Sequence, residues 1–183
     1  MKKEFQVAYV PIGVGTFHLE SAKEQFDQSV SMLKEIDPSV KVPEEMLLTI
    51  DLLDAFLEDL DPDLVILQNI TFANAAYASE VLNRFDCPIL LWTLREPVID
   101  GGRLRLNSLT GAYSAANAIR SFRKRGPEYI FGAPTEEKVI RKVRASVGAA
   151  RMMYEMKHLT LAAVGHTPQG FGFGRALDLE MMQ

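Results

Sequence analysis

Glu96, Asp100, Asn107 and Ser108 place carboxylate, amide and hydroxyl groups within one stretch, Pro88 to Gly111. These are groups that hydrogen-bond a hydroxylated ligand. Glu96 and Asp100 are the only carboxylates there. Pro97, Gly101 and Gly102 deny the stretch regular structure, so it reads as a long loop. The plainer alternative is a solvated connection.

Other motifs are weaker. Gly13-Val14-Gly15 stands where a dinucleotide fingerprint would, between a strand pattern and a helix pattern. His18 occupies the place of the third glycine, and no acidic residue ends the next strand at the expected distance. Gly170-Phe171-Gly172-Phe173-Gly174 opens no capped helix and reads as a flexible connection. His18, His158 and His166 lie far apart and form no paired metal-ligand motif, so no metal site is expected on this chain. No serine or cysteine has a nucleophile setting. The basic runs Arg120 to Arg125 and Arg141 to Arg144 fall on helix patterns and read as solvated faces.

The elements that must position these residues alternate between strand and helix. Phe5 to Ile12 is apolar and β-rich, and Pro11 and Gly13 close it. Ser21 with Glu24 reads as a capping box for a first helix carrying Ala22, Phe26, Val30 and Leu33 on one face. A weak second strand lies near Val40 to Leu48, interrupted by Pro43. Thr49 caps a second helix and Asn74 a third, with the strand Leu64 to Leu67 between them. Ile89 to Thr93 is a further strand, of the apolar kind buried on both faces. A fourth helix runs from about Leu109 to Lys124, then a short strand Tyr129 to Phe131, then a helix to about Met156. Leu159 to Val164 is predicted to be a sixth strand.

Five βα units predict an α/β fold with a doubly wound, mostly parallel sheet, Rossmann-like or flavodoxin-like. The strands at 5–12, 64–67, 89–93 and 129–131 are expected at its centre. The loops at 13–20, 68–73 and 94–108 then leave the same end of the sheet, where ligands of such folds gather. Residues 1–157 read as an N-terminal α/β substrate-pocket domain. Residues 158–183 read as the first strand, loop and helix start of a truncated second domain, one that would pack on another copy or stay poorly ordered.

The chain has 183 residues, 48% hydrophobic and 24% charged, a globular balance. A net charge of −4 gives no general reason to bind nucleic acid or an anionic membrane, and neither is expected as a partner. The single cysteine, Cys87, excludes an internal disulfide framework and fits a reducing cytosol, so the expected location is cytoplasmic. Its place just before a buried run favours inert packing. Met1-Lys2-Lys3 and the short apolar run after it make a poor secretion signal and are too short to span a membrane.

Four ordered segments resemble the L-fucose isomerase and L-arabinose isomerase superfamily. They are Gly15-Thr16-Phe17-His18-Leu19-Glu20, Ile70-Thr71-Phe72-Ala73, Gly101 through Gly111, and Lys157-His158-Leu159 through Gly165-His166-Thr167-Pro168-Gln169-Gly170-Phe171. The fucose isomerase-like branch is the most similar. The resemblance implies an aldose–ketose isomerase of a monosaccharide, using a divalent metal, commonly manganese, within a homo-oligomer. It implies that the metal ligands and the acid–base carboxylates come from later domains, so the 183-residue chain alone is expected to be inactive. It also implies that this region lends sugar-pocket residues, usually to a neighbouring subunit. The matching positions are Phe17, His18, Leu19, Phe72, Asn107, Ser108 and Pro168, and Trp92 is a further substrate-binding candidate. Arabinose isomerases have glutamine where Phe17 and Ser108 stand, so a different sugar, deoxy or anionic, is expected. Phe17, Phe72 and Trp92 have a core alternative, and His18 a helix-capping one. For the whole chain the alternative is a stand-alone flavodoxin-like module that binds or regulates without catalysis.

Overall fold

The computed structural model describes residues 3–123 and 126–160. Its elements are β1 (Val7–Ile12), α1 (Leu19–Ile36), α2 (Ile50–Leu57), β2 (Leu64–Asn69), α3 (Ala75–Arg84), β3 (Ile89–Thr93), α4 (Ser108–Phe122), β4 (Glu128–Phe131) and α5 (Glu137–Lys157). The four strands form one sheet in the order β1-β2-β3-β4, every pair parallel.

Strand side chains alternate between the two faces. Tyr9, Ile66, Leu90 and Trp92 point into a core closed by Ala22, Phe26 and Leu33 of α1 and Val139, Val143 and Val147 of α5. Val10, Val65, Leu67 and Leu91 point the other way, onto Leu53 and Leu57 of α2, Ala78 and Val81 of α3, and Ala112 and Ala115 of α4. Helices therefore cover both faces, which is the doubly wound α/β fold. Double coverage explains why β1, β2 and β3 are buried at every position and why Leu64 to Leu67 and Ile89 to Trp92 are apolar without a break.

Local signals account for several boundaries. Thr49 caps α2 by accepting from Leu52 N, and Asn74 caps α3 by accepting from Ala76 N. The weak second strand survives as two parallel bridges on the free edge of β1, Ala8 to Lys41 and Ile12 to Leu47. Pro43 lies between them and has no N–H to continue a ladder.

Three expectations need correction. Ser21 does not begin α1. The cap is His18, because a cross-loop bond from His18 N to Arg105 O holds that residue extended and starts the helix at Leu19. β2 runs on to Asn69, since the Gln68 side chain is buried against Tyr9 and Ser29. β4 is not central. The outer side of β1 carries the two bridges, and in β4 Glu128 and Tyr129 are exposed.

Burial pushes the Cys87 thiol up to about 11, which keeps it protonated and unreactive near neutral pH. Among the described residues no helix is long and apolar enough to cross a membrane. The expected sixth strand falls outside the described residues, apart from Leu159 and Thr160, which are not in a strand.

Candidate functional site

The loops after β1, β2 and β3 leave the same end of the sheet and are bonded to one another. Thr71 Oγ1 accepts from Val14 N at 2.8 Å and donates to Val14 O at 3.2 Å. Phe72 N donates to Leu106 O, and His18 N to Arg105 O, both at 2.9 Å. The contact between the first two loops requires Gly13. A Cβ there would lie 2.5 Å from Thr71 Oγ1. Gly13 thus serves close packing, while the space around Gly15 is open.

The third loop is braced from within. The Glu96 carboxylate accepts from Leu106 N at 3.1 Å and from Asn107 N at 2.6 Å. Asn107 adopts the left-handed conformation, φ 51°, just before α4. Asp100 accepts from Gly102 N. Both carboxylates of the loop therefore hold backbone. The start of the loop is tied to α5 through Arg95, whose guanidinium donates to both oxygens of Glu136 and lies over the Phe131 ring. Arg95, together with the amide of Ala133, holds the Glu136 carboxyl well below its usual range, at about 2.

Between the first and third loops lies an open cleft of about 350 Å³, lined by Thr16, Phe17, His18, Arg103, Leu104 and Arg105. Phe17 is half-buried and meets Phe72 with ring centroids 6.3 Å apart. The guanidinium of Arg103 lies over the Phe17 ring, 4.9 Å from its centroid. His18 is exposed, and its Nδ1 accepts from Ser21 N and meets Ser21 Oγ. In neutral His18 the ring proton therefore sits on Nε2, a donor left for a ligand.

The expected site residues divide. Phe17, His18 and Phe72 come together beside the cleft. Leu19 is exposed at the first turn of α1. Asn107 is half-buried and its Oδ1 accepts from Thr110 Oγ1. Ser108 is fully buried, accepting from Leu94 N and donating to Asn69 O, so its hydroxyl is used by the fold. Trp92 is a correction: it is a core residue with no exposed surface, and its Nε1 donates to Gly132 O. Its strand is covered on both faces, which leaves the indole no path to the cleft. Pro168 lies outside the described residues. Sequence reasoning gave no role to Arg103 or Arg105. Their signal was two cations at alternate positions in a glycine-bounded loop. Among the described residues no three histidine, cysteine, aspartate or glutamate side chains cluster to hold a metal. The described residues thus do not furnish a centre for the divalent ion that the resemblance implies.

No family model matches the chain. It is similar to curated proteins named sulfoquinovose isomerase. The one from Clostridium sp. (strain MSTE9) is 62% identical over 98% of this chain. The one from Priestia aryabhattai is 34% identical over 96% of it. The one from Alkalicoccus urumqiensis is 32% identical over 91%. The chain spans only 40%, 40% and 38% of their respective lengths. A solved azoreductase from Bacillus anthracis str. Sterne aligns over 82% of this chain and 98% of its own at 14% identity, with a TM-score of 0.32.

Proposed function

We propose that this chain is the N-terminal, substrate-pocket part of an aldose–ketose isomerase acting on sulfoquinovose. The observation that carries the reading is the 62% identity to a sulfoquinovose isomerase, extending over 98% of the chain. Sulfoquinovose is an aldohexose whose C6 bears a sulfonate in place of a hydroxyl. Its isomerisation moves hydrogen between C2 and C1 and between the two adjoining oxygens, with no net oxidation. The resemblance to the L-fucose and L-arabinose isomerase superfamily supports a divalent ion, manganese, that polarises those oxygens when bound. Its ligands would lie outside the described residues.

The part played by this chain is binding and orientation. Phe17 and Phe72 present an apolar wall to ring carbons. Thr16 and His18 Nε2 supply hydrogen-bonding groups at the mouth of the cleft. The interlocked loops hold these groups in place before the sugar arrives, so little ordering cost falls on binding. The pocket is completed by later domains and by a neighbouring subunit of a homo-oligomer.

The test is to incubate the full gene product carrying this chain with sulfoquinovose and manganese, and to follow ketose formation by proton NMR. Conversion is expected. Folded protein that converts no sulfoquinovose with manganese, cobalt or magnesium would overturn the reading. Rigorously purified residues 1–183 should be inactive, and turnover by that piece would show that the chemistry lies within it.

A further inference from the structure

We propose that Arg103 and Arg105 form the subsite that grips the sulfonate and selects an anionic sugar over a neutral one, an inference that rests on the function proposed above. Both arginines line the cleft beside Phe17 and His18. Neither forms an ion pair among the described residues, whereas Arg84, Arg95, Arg141 and Arg151 are all paired with carboxylates. The carboxylates of the same loop form no ion pair with them. Glu96 is engaged by the amides of Leu106 and Asn107, and Asp100 by that of Gly102. Two guanidiniums without carboxylate partners among the described residues thus line one cleft, on a chain of net charge −4.

The geometry also prepares the group. Stacked on Phe17, the Arg103 guanidinium lies against an aromatic face and keeps its N–H edge for a ligand. The backbone carbonyl of Arg105 is fixed by His18 N, so Arg103 sits two residues from an anchored point. A sulfonate is ionised at every physiological pH and offers three acceptor oxygens. The planar fork of a guanidinium meets two of them at once. In a hexose the sulfonate at C6 is remote from the C1–C2 bond where hydrogen moves. A subsite on this chain can therefore hold the tail of the sugar while another part of the enzyme acts on its head.

The test uses the full gene product and its Arg103→Met, Arg103→Lys and Arg105→Met variants. Turnover of sulfoquinovose and of glucose is measured, together with sulfoquinovose affinity by calorimetry. The expected result is that each methionine variant lowers the preference for sulfoquinovose over glucose roughly 10- to 100-fold, the span of one charge-assisted hydrogen-bond pair. Arg103→Lys should restore part of that preference. Equal losses on both sugars, or an intact preference, would overturn the subsite while leaving the isomerase reading standing. If wild-type protein binds sulfoquinovose in an Arg103-dependent way but turns over neither sugar, the subsite stands and the isomerase reading fails. Absence of both binding and turnover defeats both.

Discussion

His18 N donates to Arg105 O at 2.9 Å, and this bond couples the cap of α1 to the loop that carries both arginines of the cleft. One residue thereby does two jobs. Its backbone locks the first loop to the third, and its ring starts the helix through Nδ1. The cleft between those loops is consequently part of the folded framework, and changes that loosen the framework should also be felt in the cleft.

Ser108→Ala should destabilise the protein. The hydroxyl is fully buried and satisfies both Leu94 N and Asn69 O. Removal leaves a buried donor and a buried acceptor with one partner fewer, at a cost of about 1–3 kcal/mol. Denaturant unfolding should show a lower midpoint with an unchanged slope. An unchanged midpoint would mean that the hydroxyl is not a structural link.

Glu96→Gln should loosen the third loop. The carboxylate now accepts from two backbone amides, Leu106 N and Asn107 N. An amide side chain has a single oxygen, so one of the two bonds is lost and the other is no longer charge-assisted. Hydrogen exchange at residues 106 and 107 should quicken. Unaltered protection at both would show that the brace lies elsewhere.

The Arg95–Glu136 pair predicts a pH effect. The Glu136 carboxyl is lowered from 4.5 to about 2, chiefly by Arg95. A carboxyl lowered on folding adds stability above its unfolded value, and loses it as pH falls through the folded one. Wild-type stability should therefore exceed that of Glu136→Gln at pH 6, with the gap closing between pH 4.5 and 2. A gap that stays constant across this range would remove the pair as its cause. The effect should be modest, since Arg95 is exposed and the pair is screened by water.

Much of the scaffold was legible because its signals are local. Ile89 to Trp92 is apolar without a break because both faces of β3 are covered. Thr49 and Asn74 announce α2 and α3 through bonds to residues two or three positions on. The convergence of three loops followed from parallel topology alone. What stayed hidden depends on partners distant in sequence. Ser21 with Glu24 looks like a cap, but the cap moves to His18 because of a carbonyl in another loop. Ser108 and Trp92 carry polar atoms suited to a ligand, yet Asn69, Leu94 and Gly132 take them first. Arg103 is exposed and Arg105 half-buried, and that neither meets a carboxylate among the described residues becomes visible only in three dimensions.

The last prediction separates the capping role of His18 from the binding role proposed for it. His18→Ala removes the acceptor for Ser21 N and the Nε2 donor together. It should cost about 0.5–2 kcal/mol of stability, the usual range for losing an N-cap side chain. It should also weaken the sugar. His18→Asn replaces the ring with a residue that caps helices well, so the bond to Ser21 N can be remade and stability should change little. Asparagine is too short to reach where Nε2 now stands. If His18 contacts the sugar, the asparagine variant of the full gene product keeps its unfolding midpoint and loses sulfoquinovose affinity. If His18 is a cap and nothing more, affinity follows stability: the alanine variant is impaired and the asparagine variant behaves as wild type. Thermal unfolding and calorimetric titration on the same two proteins distinguish these outcomes, and a wild-type affinity in His18→Asn would remove His18 from the sugar pocket.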